Sequence, residues 1–199
     1  MKMVVPKALL DCGGEGGNLS DRRMILRVAV LALMATTMGW AQAPNSVVEA
    51  HAVMATDAAH ANSPVKLAVL AQVAPGYHIN DHKPTLDYLI PTELKVQPSD
   101  QFTVKSLVYP KGTPRRLAFS NDPLSVYEGS VVIGALLQAG KTLPPGTYTL
   151  QVKLAYQACS DHACLPPKSV PMTVTVKVVP ANVPLKRMET DVFKRIKFE

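Results

Sequence analysis

Tyr148-Thr-Leu-Gln-Val-Lys-Leu-Ala-Tyr156 decides the fold. Tyr148, Leu150, Val152, Leu154 and Tyr156 alternate with Thr149, Gln151, Lys153 and Ala155. A period of two sends one face of a strand into a core and the other into water. Val170-Pro-Met-Thr-Val-Thr-Val-Lys-Val178 carries the same pattern, with Thr and Lys outward. Upstream, Val65–Val73, Leu94–Val96, Phe102–Val108 and Val131–Leu137 read as further strands. Turn signals separate them: Pro75-Gly76, Pro98-Ser-Asp100, Lys111-Gly-Thr-Pro114 and Pro144-Pro-Gly146. No stretch between residues 45 and 180 has helical period. Short strands punctuated in this way predict an all-β, immunoglobulin-like antiparallel sandwich over 45–180. A domain of that length suffices to bury one core.

The flanks differ in character. Residues 1–41 read as a leader. Arg22, Arg23 and Arg27 precede the apolar run Val28–Met38, and small residues follow at Ala41 and Ala43. This is the pattern of an export signal cleaved near Ala41 or Ala43. The run is about half of the 20 residues a membrane-spanning helix needs. Residues 1–23 read as an upstream extension with Met24 as the start; taken as translated, Arg22-Arg23-Met24-Ile25-Leu26-Arg27 has the form of a twin-arginine signal. Cys12 falls before the apolar run and leaves with the leader. Residues 181–199 read as a C-terminal tail, either a short amphipathic helix or disordered. Its basic run Phe193-Lys-Arg-Ile-Lys-Phe198 is expected to be solvated.

From residue 42 onward the chain has 16 Lys/Arg and 12 Asp/Glu. A mildly basic balance of this size calls for no nucleic-acid partner. An exported chain meets an oxidising compartment, where a cysteine pair persists as a disulfide.

After the leader, the only cysteines are Cys159 and Cys164, in Tyr156-Gln-Ala-Cys-Ser-Asp-His-Ala-Cys-Leu-Pro-Pro167. A bond between them closes a loop of six residues, which the chain-entropy model credits with only about 2 kcal/mol. Four intervening residues hold the sulfurs near each other whether or not they are bonded, so the pair can cycle without unfolding the domain. By spacing alone the pair is open between a structural staple, a redox couple and a metal clip. A protonated His162 would favour a thiolate; Asp161 would oppose that or hold His162. Cys159, His162 and Cys164 offer the soft donors that Cu(I) prefers. No second Cys-x-x-Cys or paired histidine motif completes a zinc site. His78 and His82 are four apart, but Pro84 and the Pro75-Gly76 turn disfavour a helix there. Gly-x-Ser-x-Gly, His-Glu-x-x-His and phosphate-binding glycine loops do not occur, which removes the common hydrolase signatures.

Residues 156–167 resemble the active-site segment of the N-terminal periplasmic domain of the thiol:disulfide interchange protein DsbD. Gly76-Tyr-His-Ile-Asn80, His82-Lys-Pro84 and Leu89-Ile-Pro-Thr-Glu-Leu94 resemble its upstream strand-and-loop region. The resemblance covers roughly residues 45–180. It implies an immunoglobulin-like fold carrying a redox-active pair. It implies a shuttle that takes electrons from a membrane-embedded thiol reductase domain and reduces periplasmic thioredoxin-fold proteins, including cytochrome c maturation factors. No transmembrane bundle or thioredoxin-like domain follows residue 180, so the donor is expected on another chain.

In that reading Cys164 is the cysteine joined to the partner and Cys159 resolves the mixed disulfide. Asp161 and His162 tune the thiolates. The family's aromatic cap loop is expected at Ser125–Gly129, with Tyr127 as the shield and Val126 where a second aromatic would stand. The expected protein is a monomer and a component of a protein-disulfide reductase system, without metal or other cofactor. Two further readings stand beside it: an immunoglobulin-like envelope binding module with a structural disulfide, and a Cu(I)-handling domain.

Overall fold

The computed structural model of the chain describes residues 46–118 and 120–198. The leader and both candidate cleavage points lie outside the described residues. The strands are β1 (Val48–Met54), β2 (Pro64–Val73), β3 (His78–Asn80), β4 (Glu93–Val96), β5 (Phe102–Val108), β6 (Thr113–Arg115), β7 (Leu124–Tyr127), β8 (Ser130–Ala139), β9 (Gly146–Tyr156), β10 (Ala158–Cys159) and β11 (Lys168–Val178). A single turn of helix, α1, spans Thr190–Phe193.

Among the described residues the pairings between these strands are all antiparallel and form three sheets, ordered β1-β2-β8-β5, β11-β9-β4 and β10-β3-β7-β6. The fold is an immunoglobulin-like β-sandwich, as its periodicity predicts. The alternation in β9 is literal: Leu150, Val152, Leu154 and Tyr156 are buried, while Thr149, Gln151 and Lys153 are exposed. They meet Leu67, Val69, Ile133, Ala135 and Leu137 of β2 and β8 in one continuous core. Prolines inside strands sit where a missing N–H is harmless. Pro171 lies on β11 and Pro114 on β6, each at the edge of its sheet.

The site depends on the small sheet β10-β3-β7-β6. Ile79, Tyr127 and Ala158 form one row across it and belong to the main core. On its other face Leu124 and Val126 pack with Leu89 and Leu117, a satellite core under the loops 81–92 and 116–123. Asn80 and Thr92 pin the first of these loops. Thr92 Oγ1 donates to Asn80 O at 2.6 Å, and Asn80 Nδ2 donates to Ile90 O at 2.9 Å.

The expectation of a solvated C-terminal run is corrected. Ile196 is buried, and a Cβ built on Gly134 of β8 would stand 2.6 Å from Ile196 Cγ2 and 3.0 Å from the Phe198 ring. Lys66 Nζ lies 5.1 Å from the centroid of Phe198. The aromatic and aliphatic members of the run lie against a sheet, and only its charges face water.

Candidate functional site: the cysteine hairpin

Cys159 and Cys164 are joined by a disulfide, with Cα atoms 3.9 Å apart. They face each other across a tight hairpin. Leu165 N donates to Ala158 O at 2.8 Å on one side of the pair, and Ser160 N donates to Ala163 O at 2.9 Å on the other. The cysteines thus occupy a non-hydrogen-bonded site between two hydrogen-bonded ones, where antiparallel strands approach most closely. Asp161 and His162 form the tip. Ser160 Oγ accepts from the backbone N–H of His162 and Ala163 at 3.3 and 3.2 Å. Gln157 Nε2 braces the exit by donating to Leu165 O at 3.2 Å. Pro166 and Pro167 then lead directly into β11.

The two cysteines have opposite environments. Cys159 is fully buried, because β10 is an ordered strand paired to β3. Cys164 is exposed, because it lies on the outgoing arm with only the hairpin behind it. A large molecule can reach Cys164 and not Cys159. With both sulfurs bonded to each other, neither is free to ligate a metal.

Asp161 and His162 are both exposed at the tip. Asp161 has a defined partner: Arg115 of β6 donates Nη2 to Asp161 Oδ1 at 3.3 Å and Nη1 to Glu128. Arg115 therefore ties the hairpin tip to the residue just after β7. At this exposure such pairs contribute little stability, about 0–1 kcal/mol, but they orient the tip. Among the described residues His162 makes no comparable side-chain contact.

Tyr127 and Val126 are not on a loop over the cysteines, which corrects the expected cap. Both are buried in β7. Tyr127 shares a row with Ile79 and Ala158, one residue out of step with Cys159, so strand alternation turns it to the opposite face. Its hydroxyl donates to Asp81 Oδ1 at 2.5 Å and lies 3.0 Å from Pro110 O. Burial, then the Asp81 hydrogen bond, push the Tyr127 phenol well above its usual range. Val126 packs in the satellite core.

Three residues near the pair escape sequence reasoning. His78 is directly opposite Cys159, and Glu128 and Arg115 stand nearby. The only signal was the histidine in Gly76-Tyr-His-Ile-Asn80. Its role depends on a three-residue strand whose pairing no local pattern reveals. His82 goes elsewhere and stacks on Tyr109 with ring centroids 3.7 Å apart.

A family profile described as "Thiol:disulfide interchange protein DsbD, N-terminal" matches residues 45–175. The chain belongs to the DsbD N-terminal domain family. Its matched region contains both cysteines and every strand of the small sheet. Among curated proteins none matches. The similar solved structures include the following three. The N-terminal periplasmic domain of ScsB from Proteus mirabilis is 18% identical with a TM-score of 0.48, over 68% of this chain and 49% of that one. This chain thus spans about half the length of that ScsB domain. The reduced DsbD N-terminal domain of Neisseria meningitidis is 20% identical with a TM-score of 0.38, over 62% and 86% of the two chains. The DsbD N-terminal domain in its complex with the PilB N-terminal domain, also from Neisseria meningitidis, is 21% identical with a TM-score of 0.37, over 61% and 80%. Among the described residues no helix is long and apolar enough to cross a membrane.

Proposed function

We propose that this protein is a periplasmic thiol–disulfide exchange module. It takes reducing equivalents from a membrane-embedded thiol reductase on another chain and passes them to thioredoxin-fold proteins. The observation that carries the reading is the asymmetry of the pair, one sulfur buried and one exposed, in a chain of the DsbD N-terminal domain family. The solved complex of a DsbD N-terminal domain with a PilB domain supports a protein as the partner.

Exchange needs one sulfur that a partner can attack or be attacked by, and a second that is held back until the first is engaged. In the reduced protein the Cys164 thiolate attacks the partner's disulfide and one partner thiolate leaves. The Cys159 thiolate then attacks Cys164 Sγ. The Cys159–Cys164 bond forms, the mixed disulfide breaks, and its electron pair leaves on the partner's second sulfur. Two electrons pass to the partner, and the module is left oxidised.

The reduction potential of the pair tests this, measured by equilibrating protein that starts at Gln42 against defined thiol–disulfide buffers. A value between about −180 and −270 mV is expected, within the range of exchange-competent couples. A value well below about −300 mV belongs to structural bonds and would replace the shuttle with the binding module.

A further inference from the structure

β10 and β3 pair in a register that sets Cys159 directly across from His78. Directly opposed residues of an antiparallel pair project from the same face, with Cβ atoms about 5 Å apart. Both are closed to solvent, His78 at 1% exposure and Cys159 at 0%. The imidazole Nε2 is buried and has no hydrogen-bond partner among the described residues. A buried polar nitrogen left unsatisfied costs on the order of 1–3 kcal/mol, so a native core rarely holds one without a use.

The state of the ring follows from its surroundings. Burial is the largest influence and lowers the His78 pKa below its usual 6.5. Glu128 pulls it up, Arg115 pushes it down and Asp161 pulls it up. Arg115 is ion-paired to both acids, which blunts their hold on the imidazole. At neutral pH the ring is therefore an uncharged base.

The chemistry of the pair needs a base at this position. Only a thiolate attacks a disulfide, and burial in apolar surroundings raises a thiol's pKa. Once Cys164 is joined to a partner, Cys159 must lose its proton in a place that water does not reach.

We propose that His78 is the proton acceptor that activates Cys159 for the resolving step. This inference rests on the exchange reading above and adds the group that makes its second step fast. The Cys159 S–H bond breaks and its proton passes to Nε2. The resulting thiolate forms the bond to Cys164 Sγ. The bond from Cys164 to the partner breaks, and its electron pair leaves on the partner's sulfur. The imidazolium, disfavoured by burial, then gives up its proton to that sulfur as the partner leaves. The only oxidant is the partner's disulfide. In reverse, when a donor thiolate opens the pair, the same nitrogen returns the proton to Cys159.

Stopped-flow kinetics of the reduced protein with 5,5′-dithiobis(2-nitrobenzoate) tests this without a protein partner. The first release of thionitrobenzoate reports attack by the exposed thiol; the second reports closure by Cys159. His78→Gln is expected to leave the first release unchanged and to slow the second roughly a hundredfold, the lower range of general-base effects. In wild type the second rate should be flat between the His78 and Cys159 pKa values and fall below the former. In His78→Gln it should fall by about tenfold for each unit by which pH is lowered, with no flat region, because pre-equilibrium ionisation of the Cys159 thiol is then the only route to the thiolate. An unchanged second release in His78→Gln overturns the proposal. So does a wild-type profile without the flat region, which decides the matter even if the variant does not fold. The exchange reading fails on a different quantity, the potential of the pair, which this assay does not measure.

Discussion

Cys159 and Cys164 are chemically the same residue and differ only in what covers them. The pair itself was legible in sequence, because it is the only pair after the leader and its five positions of separation fit the two arms of a tight hairpin. Which sulfur is exposed was not, because that depends on β10 pairing with β3 through only two residues. Tyr127 illustrates the same limit. Its neighbours in sequence suggested a cap, but a four-residue strand gives no reliable sign of which face a side chain takes, and a slip of one residue reverses it. Its position in the sheet leads to a prediction that separates the two roles. Tyr127→Phe removes the hydroxyl held between Asp81, Pro110 and the His82 amide. It should destabilise the fold by about 1–2 kcal/mol. It should leave the alkylation rate of Cys164 in the reduced protein unchanged. Urea unfolding and iodoacetamide labelling measure both. Faster labelling in the variant would restore Tyr127 as a shield.

At the scale of elements, the long strands were readable and, β4 apart, the short ones were not. β9 and β11 run eleven residues each with strict alternation, and β2 and β8 follow closely. β3, β6, β7 and β10 have two to four residues, too few to express a period, and β1 hides its alternation among alanines. Yet the short strands make the site. Their sheet is fastened by Asp81, which follows β3 and accepts from Ser125 Oγ at 2.6 Å as well as from Tyr127. Burial alone would raise the Asp81 pKa; hydrogen bonds from Ser125, Tyr127 and the amides of Lys83 and His82 outweigh it and bring the pKa below 3.8. A carboxylate with a lowered folded pKa contributes stability above its unfolded pKa and loses it as pH falls through the folded value. Wild type should therefore exceed Asp81→Asn by about 1–2 kcal/mol at pH 7. The gap should close in the acid range below 3.8. Gly112 permits this arrangement, since a Cβ there would collide with Ser125 Oγ and Asp81 Oδ2. Gly112→Ala should reproduce the loss at pH 7, and chemical denaturation at a series of pH values measures all three proteins. A gap that stays constant down to pH 2 would remove Asp81 from this role.

Across the whole molecule the least legible feature is the end of the chain. Its basic run suggested solvent, because charge dominates a short window. The structure supplies a reason for its apolar members. In β8 Val131, Ile133, Ala135 and Leu137 face the core, so Gly134 faces away; its partner in β2, Ala68, does the same. Both are nonetheless buried, and Ala68 is fully so. Two small residues opposite each other leave a trough on the outside of the sheet, and Ile196 and Phe198 lie over Gly134. Upstream, the segment is fixed by Met188 N to Ala55 O at 2.9 Å, Asp57 N to Lys186 O at 3.1 Å, and Lys186 N to Asp57 Oδ1 at 2.9 Å. Residues past the matched family region thus cover the outer face of the β1-β2-β8-β5 sheet. Gly134→Ala should cost about 1–3 kcal/mol by overpacking. Removal of residues 185–199 should cost about 2–3 kcal/mol through loss of the Ile196 contact and its neighbours. The two losses should not add. Without the tail, a methyl on Gly134 meets open solvent, so the alanine should become neutral or slightly stabilising in the truncated protein through its strand backbone. A double-mutant cycle by urea denaturation reads this directly. Additive losses would mean that the segment does not lie over Gly134 in solution.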